Sequence, residues 1–331
     1  MPTIRKPRSG SLQYWPRKKA RRPYVRVRNQ YLPTEAKPAG FAGYKVGMTH
    51  AIITDNRKHS KTKGNEISIP VTILECPPLH VHSIRIYARA DDGSLRVASE
   101  VAGKGGSKGV ARKLRITKKD PAEKLAEAEK LLDKAAFVRI NVISQPELTG
   151  VGKKTPEVFE LGIGGDVKKQ FEYAKSMLGK SIAVKDVFAE GQQVVLHGVT
   201  KGKGFQGPVK RFGVSLRSHK SEKVVRGPAN VGPWGGNRSW TVAHAGQTGF
   251  HARVELNKQL ISISDKPEAV NKKGGFKRYG NVKGTFIILR GSVMGASKRL
   301  VRLEHTHRKN KKYPAEAPAV TYISTASDQG R

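Results

Sequence analysis

The stretch Gly198-Val199-Thr200-Lys201-Gly202-Lys203-Gly204-Phe205-Gln206-Gly207 opens a segment, running to Gly249, that offers little from which to build a core. Apolar side chains are sparse in it and neither a helical nor a strand period is kept. Loops of this length without periodicity are uncommon in folded proteins and are usually functional. The charges are nearly all of one sign: Lys201, Lys203, Lys210, Arg211, Arg217, Lys220, Lys223, Arg226 and Arg238 stand against Glu222 alone. Phe205, Phe212, Trp234, Trp240 and Phe250 are spaced among them. Glycine lets a backbone pass close to another backbone, Lys and Arg neutralise phosphates, and aromatic faces accept stacked bases. The segment is therefore read as an arm that threads into folded RNA. The apolar runs 192–199 before it and 254–264 after it are the strands that deliver and receive it.

Gly202, Gly204 and Gly207 also spell G-x-G-x-x-G, the dinucleotide-binding fingerprint, which needs a strand before it and a helix opening at its end. A strand precedes it and Pro208 could begin a helix. Residues 209–214, however, have no amphipathic pattern, Gly213 interrupts them, and no βαβ pattern follows. Gly179-Lys180-Ser181 imitates the end of a phosphate loop, but Ala174 stands, inside a predicted helix, where that motif requires glycine. No cofactor and no small-molecule substrate are expected.

A net charge of +37 and a pI near 10.4 repel themselves in a compact state unless a polyanion compensates them. Nucleic acid is the first partner implied. A membrane surface is second, but the basic stretches lack the wide apolar face that interfacial helices use, and no run of about 18 apolar residues exists to span a bilayer. The basic N-terminus has no apolar run after it and does not read as a signal peptide. Cys76 is the only cysteine, which excludes an internal disulfide framework and suits a reducing cytosol. With 37% hydrophobic residues a sizeable core is available.

Thr200 to Gly207 followed by Arg211, together with Gly232-Pro233-Trp234 and Ala245-Gly246-Gln247-Thr248-Gly249-Phe250-His251, closely resembles the signature of the ribosomal protein L-three family, in its archaeal and eukaryotic branch. The resemblance covers nearly the whole chain. It implies a six-stranded β-barrel of the translation-protein type carrying an α/β insertion, where composition alone says only mixed and mostly β. It also implies large-subunit rRNA and neighbouring large-subunit ribosomal proteins as partners, and an early role in subunit assembly. The finger would point toward the peptidyl transferase centre with Trp234 near its tip. Gln206 and Gln247 are RNA contacts by resemblance only.

The expected layout is an extended basic N-terminal arm (1–38), a β-barrel body (39–90 and 181–304) interrupted by an α/β insertion (91–180) and carrying a finger (201–249), and a basic C-terminal tail (305–331). In the arm, Arg5, Lys6, Arg17, Lys18, Lys19, Arg21 and Arg22 lie among prolines and aromatics, a composition suited to an extended segment laid along RNA. Residues 44–54 read as a strand pair bent at Gly47, and 67–73, 83–88 and 95–101 as strands. Residues 103–115 are equally a mobile loop or a second RNA contact. Asp120-Pro121-Ala122-Glu123 opens a helix with Asp120 as N-cap, and Asp166 caps another that stops at Gly179. Strands are expected over 138–143, 158–163, 181–188 and 285–289. Residues 298–303 alternate charged and apolar types, predicting a strand with one wet face. Lys272, Lys273, Lys277 and Arg278 lie in a second basic, glycine-rich loop.

Ser218-His219, His244 and His251 lack an acidic partner in sequence, and His among Arg and Lys reads as a base or phosphate contact rather than a catalytic group. Cys76, His80 and His82 fall one ligand short of structural zinc. The remaining RNA contacts expected are Lys201, Lys203, Phe205, Lys210, Arg211, Arg217, His219, Lys220, Arg238, Trp240, His251 and Arg253. The reading is a structural, non-enzymatic, rRNA-binding component of the large ribosomal subunit. A free RNA-binding translation factor or RNA chaperone is the alternative, and it would need a nucleotide site or a release cycle. An RNA-modifying enzyme would need a cofactor pocket.

Overall fold

Alternation of β-branched and small residues makes strand the dominant regular structure of this chain. The structure, a computed structural model, describes residues 11–28, 30–104, 108–117, 120–220, 223–228, 232 and 241–327, the side chain of Lys108 excepted. The strands are β1 (Gly40–Thr54), β2 (Glu66–Glu75), β3 (Leu79–Arg89), β4 (Leu95–Ala102), β5 (Ala135–Ile143), β6 (Val158–Gly162), β7 (Ser181–Ile182), β8 (Gln193–Val199), β9 (Phe205–Gln206), β10 (Gly246–Gln247), β11 (Ala252–Ser264), β12 (Phe286–Arg290), β13 (Leu300–His305) and β14 (Val320–Ile323). The α-helices are α1 (Lys108–Ala111), α2 (Ala122–Lys130), α3 (Val167–Met177) and α4 (Pro208–Phe212). The chain is mostly β, as its composition and patterning imply. It divides into two compact units, Met1–Pro23 with Val199–Arg253 and Tyr24–Gly198 with Val254–Arg331.

The larger unit holds two sheets. In the first, the neighbours run β13-β8-β11-β12-β2-β1-β14, and β13 also pairs with β1, so six strands close into a ring with β14 outside it. β1 is one continuous strand rather than the expected pair. Gly47 sits at a register shift where a Cβ would come within 2.9 Å of the Phe276 ring, so the bend is absorbed by a bulge that keeps the strand intact. The second sheet runs β4-β3-β5-β6 with β7 on β3, and α3 packs on it through buried Phe171 and Ala174. Gln170 is buried too, its Oε1 accepting from Val138 N at 2.9 Å and its Nε2 donating to Gly165 O at 2.7 Å. One continuous cluster of buried apolar side chains, from Phe41 and Tyr44 through Ile140 and Phe171 to Leu303, serves both sheets.

Three local expectations are corrected. α2 begins at Ala122 with Pro121 at the N-cap and no side-chain cap, because the Asp120 carboxylate pairs with Lys104 at 2.8 Å instead. The strand expected over 181–188 ends at Ile182. Beyond it the Asp186 carboxylate accepts from Ala183 N at 2.9 Å and folds Val184–Asp186 into a 3-10 turn. β13 has no wet face. Arg302 is 1% exposed, donating from Nη2 to Glu160 O at 3.0 Å with its guanidinium 4.7 Å from the Phe159 ring centre, and burial lowers its pKa to about 10 against the pull of Glu304 and Glu160. Glu304, equally enclosed, meets His197 Nε2 at 3.1 Å. Strands paired on both sides and covered on both faces cannot keep a solvated side, whatever their alternation.

Candidate nucleic-acid interface

The smaller unit is built by backbone hydrogen bonds across the root of the 201–249 loop. Thr200 N donates to His251 O at 2.9 Å, Lys203 N to Thr248 O at 2.9 Å and Thr248 N to Gly204 O at 2.9 Å. β9 and β10 pair antiparallel just beyond. Gly249 is required at this crossing: its φ is +72° and a Cβ would overlap the Lys201 carbonyl oxygen. α4 starts at Pro208 and stops after a single turn at Gly213, whose φ is +69°. The glycine fingerprint therefore opens no helix long enough for a dinucleotide fold.

Residues 11–23 pack onto this root. Arg17 and Arg211 tie the two segments reciprocally, Arg17 Nη1 donating to Arg211 O at 3.3 Å and Arg211 Nη2 to Arg17 O at 3.2 Å. Trp15 stacks on Phe212 with ring centroids 5.3 Å apart, and Arg17 lies 4.3 Å over the Phe212 ring. Ala20 N donates to Phe250 O at 2.8 Å, His251 Nδ1 lies 3.0 Å from Lys18 O, and Arg253 covers Tyr14 at 4.4 Å. Aromatics interleaved with cations are thus used internally as well, to join two chain segments that have almost no aliphatic core of their own.

The expected contact residues fall into three groups. Lys18, Lys19, Arg21, Arg22, Lys201, Lys203, Lys210, His219 and Lys220 are exposed, as are Lys273, Lys277 and Arg278 of the larger unit. Phe205 is 76% exposed, a large aromatic face left in solvent. A second group is engaged within its own unit. The Arg211 guanidinium also donates to Gln247 O at 3.1 Å and His244 O at 2.9 Å, Gln206 Nε2 donates to Lys203 O at 2.8 Å, and Gln247 Nε2 to Gly249 O at 2.9 Å. His251 is buried, Arg217 Nη2 donates to Pro228 O at 3.3 Å, and in the larger unit buried Lys272 donates to Met48 O at 3.2 Å. Arg5, Lys6, Trp234, Arg238 and Trp240 lie outside the described residues.

Glu222 is the only acid in the sequence of this unit. Burial and the neighbouring Arg17 both depress the pKa of Arg211, and burial, then Arg17 against the pull of Tyr14, depresses that of Arg253. Cations so crowded, with a single carboxylate in the unit, attract a polyanion from outside. Elsewhere, burial pushes the Cys76 thiol up and the His80 and His82 imidazoles down, and among the described residues no group of three metal-binding side chains forms.

A basic, β-rich chain with this looped unit falls, on comparison, among ribosomal proteins. The family model described as ribosomal protein L3 matches residues 1–330. The large ribosomal subunit protein uL3 of Methanopyrus kandleri is 43% identical over 98% of this chain and 92% of its own length. Those of Methanosphaera stadtmanae and Archaeoglobus fulgidus are 44% and 43% identical, each over 98% of this chain. The chain belongs to the ribosomal protein L3 family, whose members are structural ribosomal proteins and not enzymes. The resemblance drawn from the glycine-rich motifs therefore holds for the full chain.

Proposed function

We propose that this protein is a structural constituent of the large ribosomal subunit, cytoplasmic within the ribosome, that binds large-subunit rRNA through its smaller unit and neighbouring ribosomal proteins through its body. One observation carries the reading: an acid-poor unit held together by backbone bonds and aromatic stacking, with Lys18, Lys19, Lys201, Lys203 and Lys210 turned to solvent. Bulk neutralisation of phosphate supplies affinity, while Phe205 and, by family resemblance, Trp234 supply register by stacking. Arg211, Gln206, Gln247 and His251 act by holding the loop in shape. The closed ring of six strands supports reading the body as the translation-type barrel. The finger is assigned the direction of the peptidyl transferase centre and the protein an early place in subunit assembly, both from family membership. The test is retention. Large subunits reconstituted with the tagged chain are washed at rising salt and sedimented. A built-in component stays through washes that strip loosely held factors, and release at moderate salt would favour a free factor or chaperone.

A further inference from the structure

The larger unit carries a cleft that the finger reading does not use. It has a volume of about 510 Å³ and lies between the 256–259 part of β11, the end of β12 and the 310–313 segment. Its walls include Asn257, Lys258, Gln259, Arg290, Asn310 and Tyr313, and no carboxylate lines it. Gln259 is 2% exposed and its Nε2 has no hydrogen-bond partner. Its orientation is fixed because Oε1 accepts from Arg290 Nη1 at 3.4 Å, leaving the amide nitrogen as the unmatched end. Asn257 is held likewise, Oδ1 accepting from Thr306 Oγ1 at 2.7 Å. Arg290 spreads 5.1 Å from the Tyr313 ring centre, and burial lowers its pKa. Across the same 310–314 segment a second opening of about 580 Å³ is lined by Arg57, Lys58, His59, Lys311 and Lys312, again without an acid.

We propose that the first cleft takes one unpaired nucleotide of a bound RNA, its base edge on the Gln259 and Asn257 amides beside Tyr313, and that the flanking phosphates lie on Arg290, Lys311 and Lys312. The proposal rests on the reading that the chain binds rRNA and adds a sequence-sensing pocket on the body, separate from the finger. Cations alone would suit any acidic partner. Neutral amide donors and an aromatic wall suit a base, whose edge carries ring nitrogens and carbonyl oxygens and whose faces stack. A buried amide N–H without an acceptor is a deficit that such an edge relieves, and volumes of this order hold small ligands.

The full chain is irradiated with ultraviolet light on protein-free large-subunit rRNA, and nucleotide adducts are mapped by mass spectrometry. An adduct on Tyr313 or within 256–259 is expected. In parallel, Gln259→Leu and Tyr313→Ala are compared with the parent chain for rRNA affinity and melting temperature. Gln259→Leu removes the unmatched buried donor together with the long 3.4 Å acceptor contact to Arg290, so its melting temperature changes little while its affinity falls about 5- to 30-fold. Tyr313→Ala weakens binding by roughly 5- to 100-fold. Lys311→Gln with Lys312→Gln lowers the log–log salt slope by roughly 1.4–1.8. Adducts confined to residues 11–23 and 199–253 would overturn the pocket and leave the rRNA reading standing. No adduct anywhere would remove both. If octa-glutamate competes as well as octa-uridylate, the cleft serves an acidic protein segment and the nucleotide assignment fails.

Discussion

Glu75, at the end of β2, shows how a charge is kept inside this fold. It is fully buried, with Oε1 accepting from Lys283 N at 2.7 Å and Gly284 N at 3.0 Å, and Oε2 from Gly150 N at 3.3 Å and from the Tyr279 hydroxyl. Burial first, and this carboxylate second, push the Tyr279 phenol up, so it stays protonated as a donor. Glu75→Ala strands several buried donors and should destabilise the protein by about 3–5 kcal/mol in urea unfolding. A loss under about 1 kcal/mol would mean water replaces the carboxylate. Asp55, enclosed by the turn that follows β1 in the same unit, is a second buried carboxylate. Side-chain hydrogen bonds from Arg57, then from Ser60 and Thr62, outweigh burial and hold its carboxyl well below the usual range. Its folded pKa is thus below the unfolded value of about 3.9, so its stabilisation is complete above that pH and drains away as pH falls further. Asp55→Asn should lower the urea midpoint at pH 6 and flatten the fall below pH about 4. Parallel acid limbs in the two proteins would contradict the assignment.

The crossing at Gly249 is the element on which the smaller unit turns. Gly249→Ala forces a side chain into left-handed backbone and into the Lys201 carbonyl, so the bonds joining Lys203 and Gly204 to Thr248 should be lost. The expected outcome is rapid amide exchange and protease cleavage over 200–250, with the main thermal transition of the larger unit in place. Protection equal to the parent chain would show that the crossing bears no strain. The glycine pattern made this loop legible in sequence, because nothing else explains so many glycines among cations. Long strands with clean alternation, such as β2, β3 and β5, were legible for the same kind of reason. β13 was misread because alternation reports composition and not coverage: only the packing of Phe159 and Glu160 over Arg302 decides that the charged side is enclosed. β14, on the far edge of β1, and the Gln259 cleft left no local signal at all, since each depends on residues more than two hundred positions away or on the course of the C-terminal segment. The packing of 11–23 on the loop root was invisible too, for Trp15 and Phe212 become partners only in three dimensions.

Taken whole, the molecule separates its tasks. The larger unit owns the apolar core, and the smaller one carries cations on a frame of backbone bonds and stacked rings. Core stability and RNA affinity should therefore respond to different changes. The measurement that tests this most directly is the salt dependence of binding to protein-free large-subunit rRNA, with tRNA as competitor, for the parent chain and for Lys201→Gln/Lys203→Gln/Lys210→Gln. The account predicts a steep log–log slope, a clear preference for the rRNA, and a slope lower by roughly 2–3 in the triple variant, since each phosphate contact contributes about 0.7–0.9. A shallow slope in the parent chain, or one that the triple variant leaves unchanged, would contradict the claim that the smaller unit carries the main RNA-binding charge.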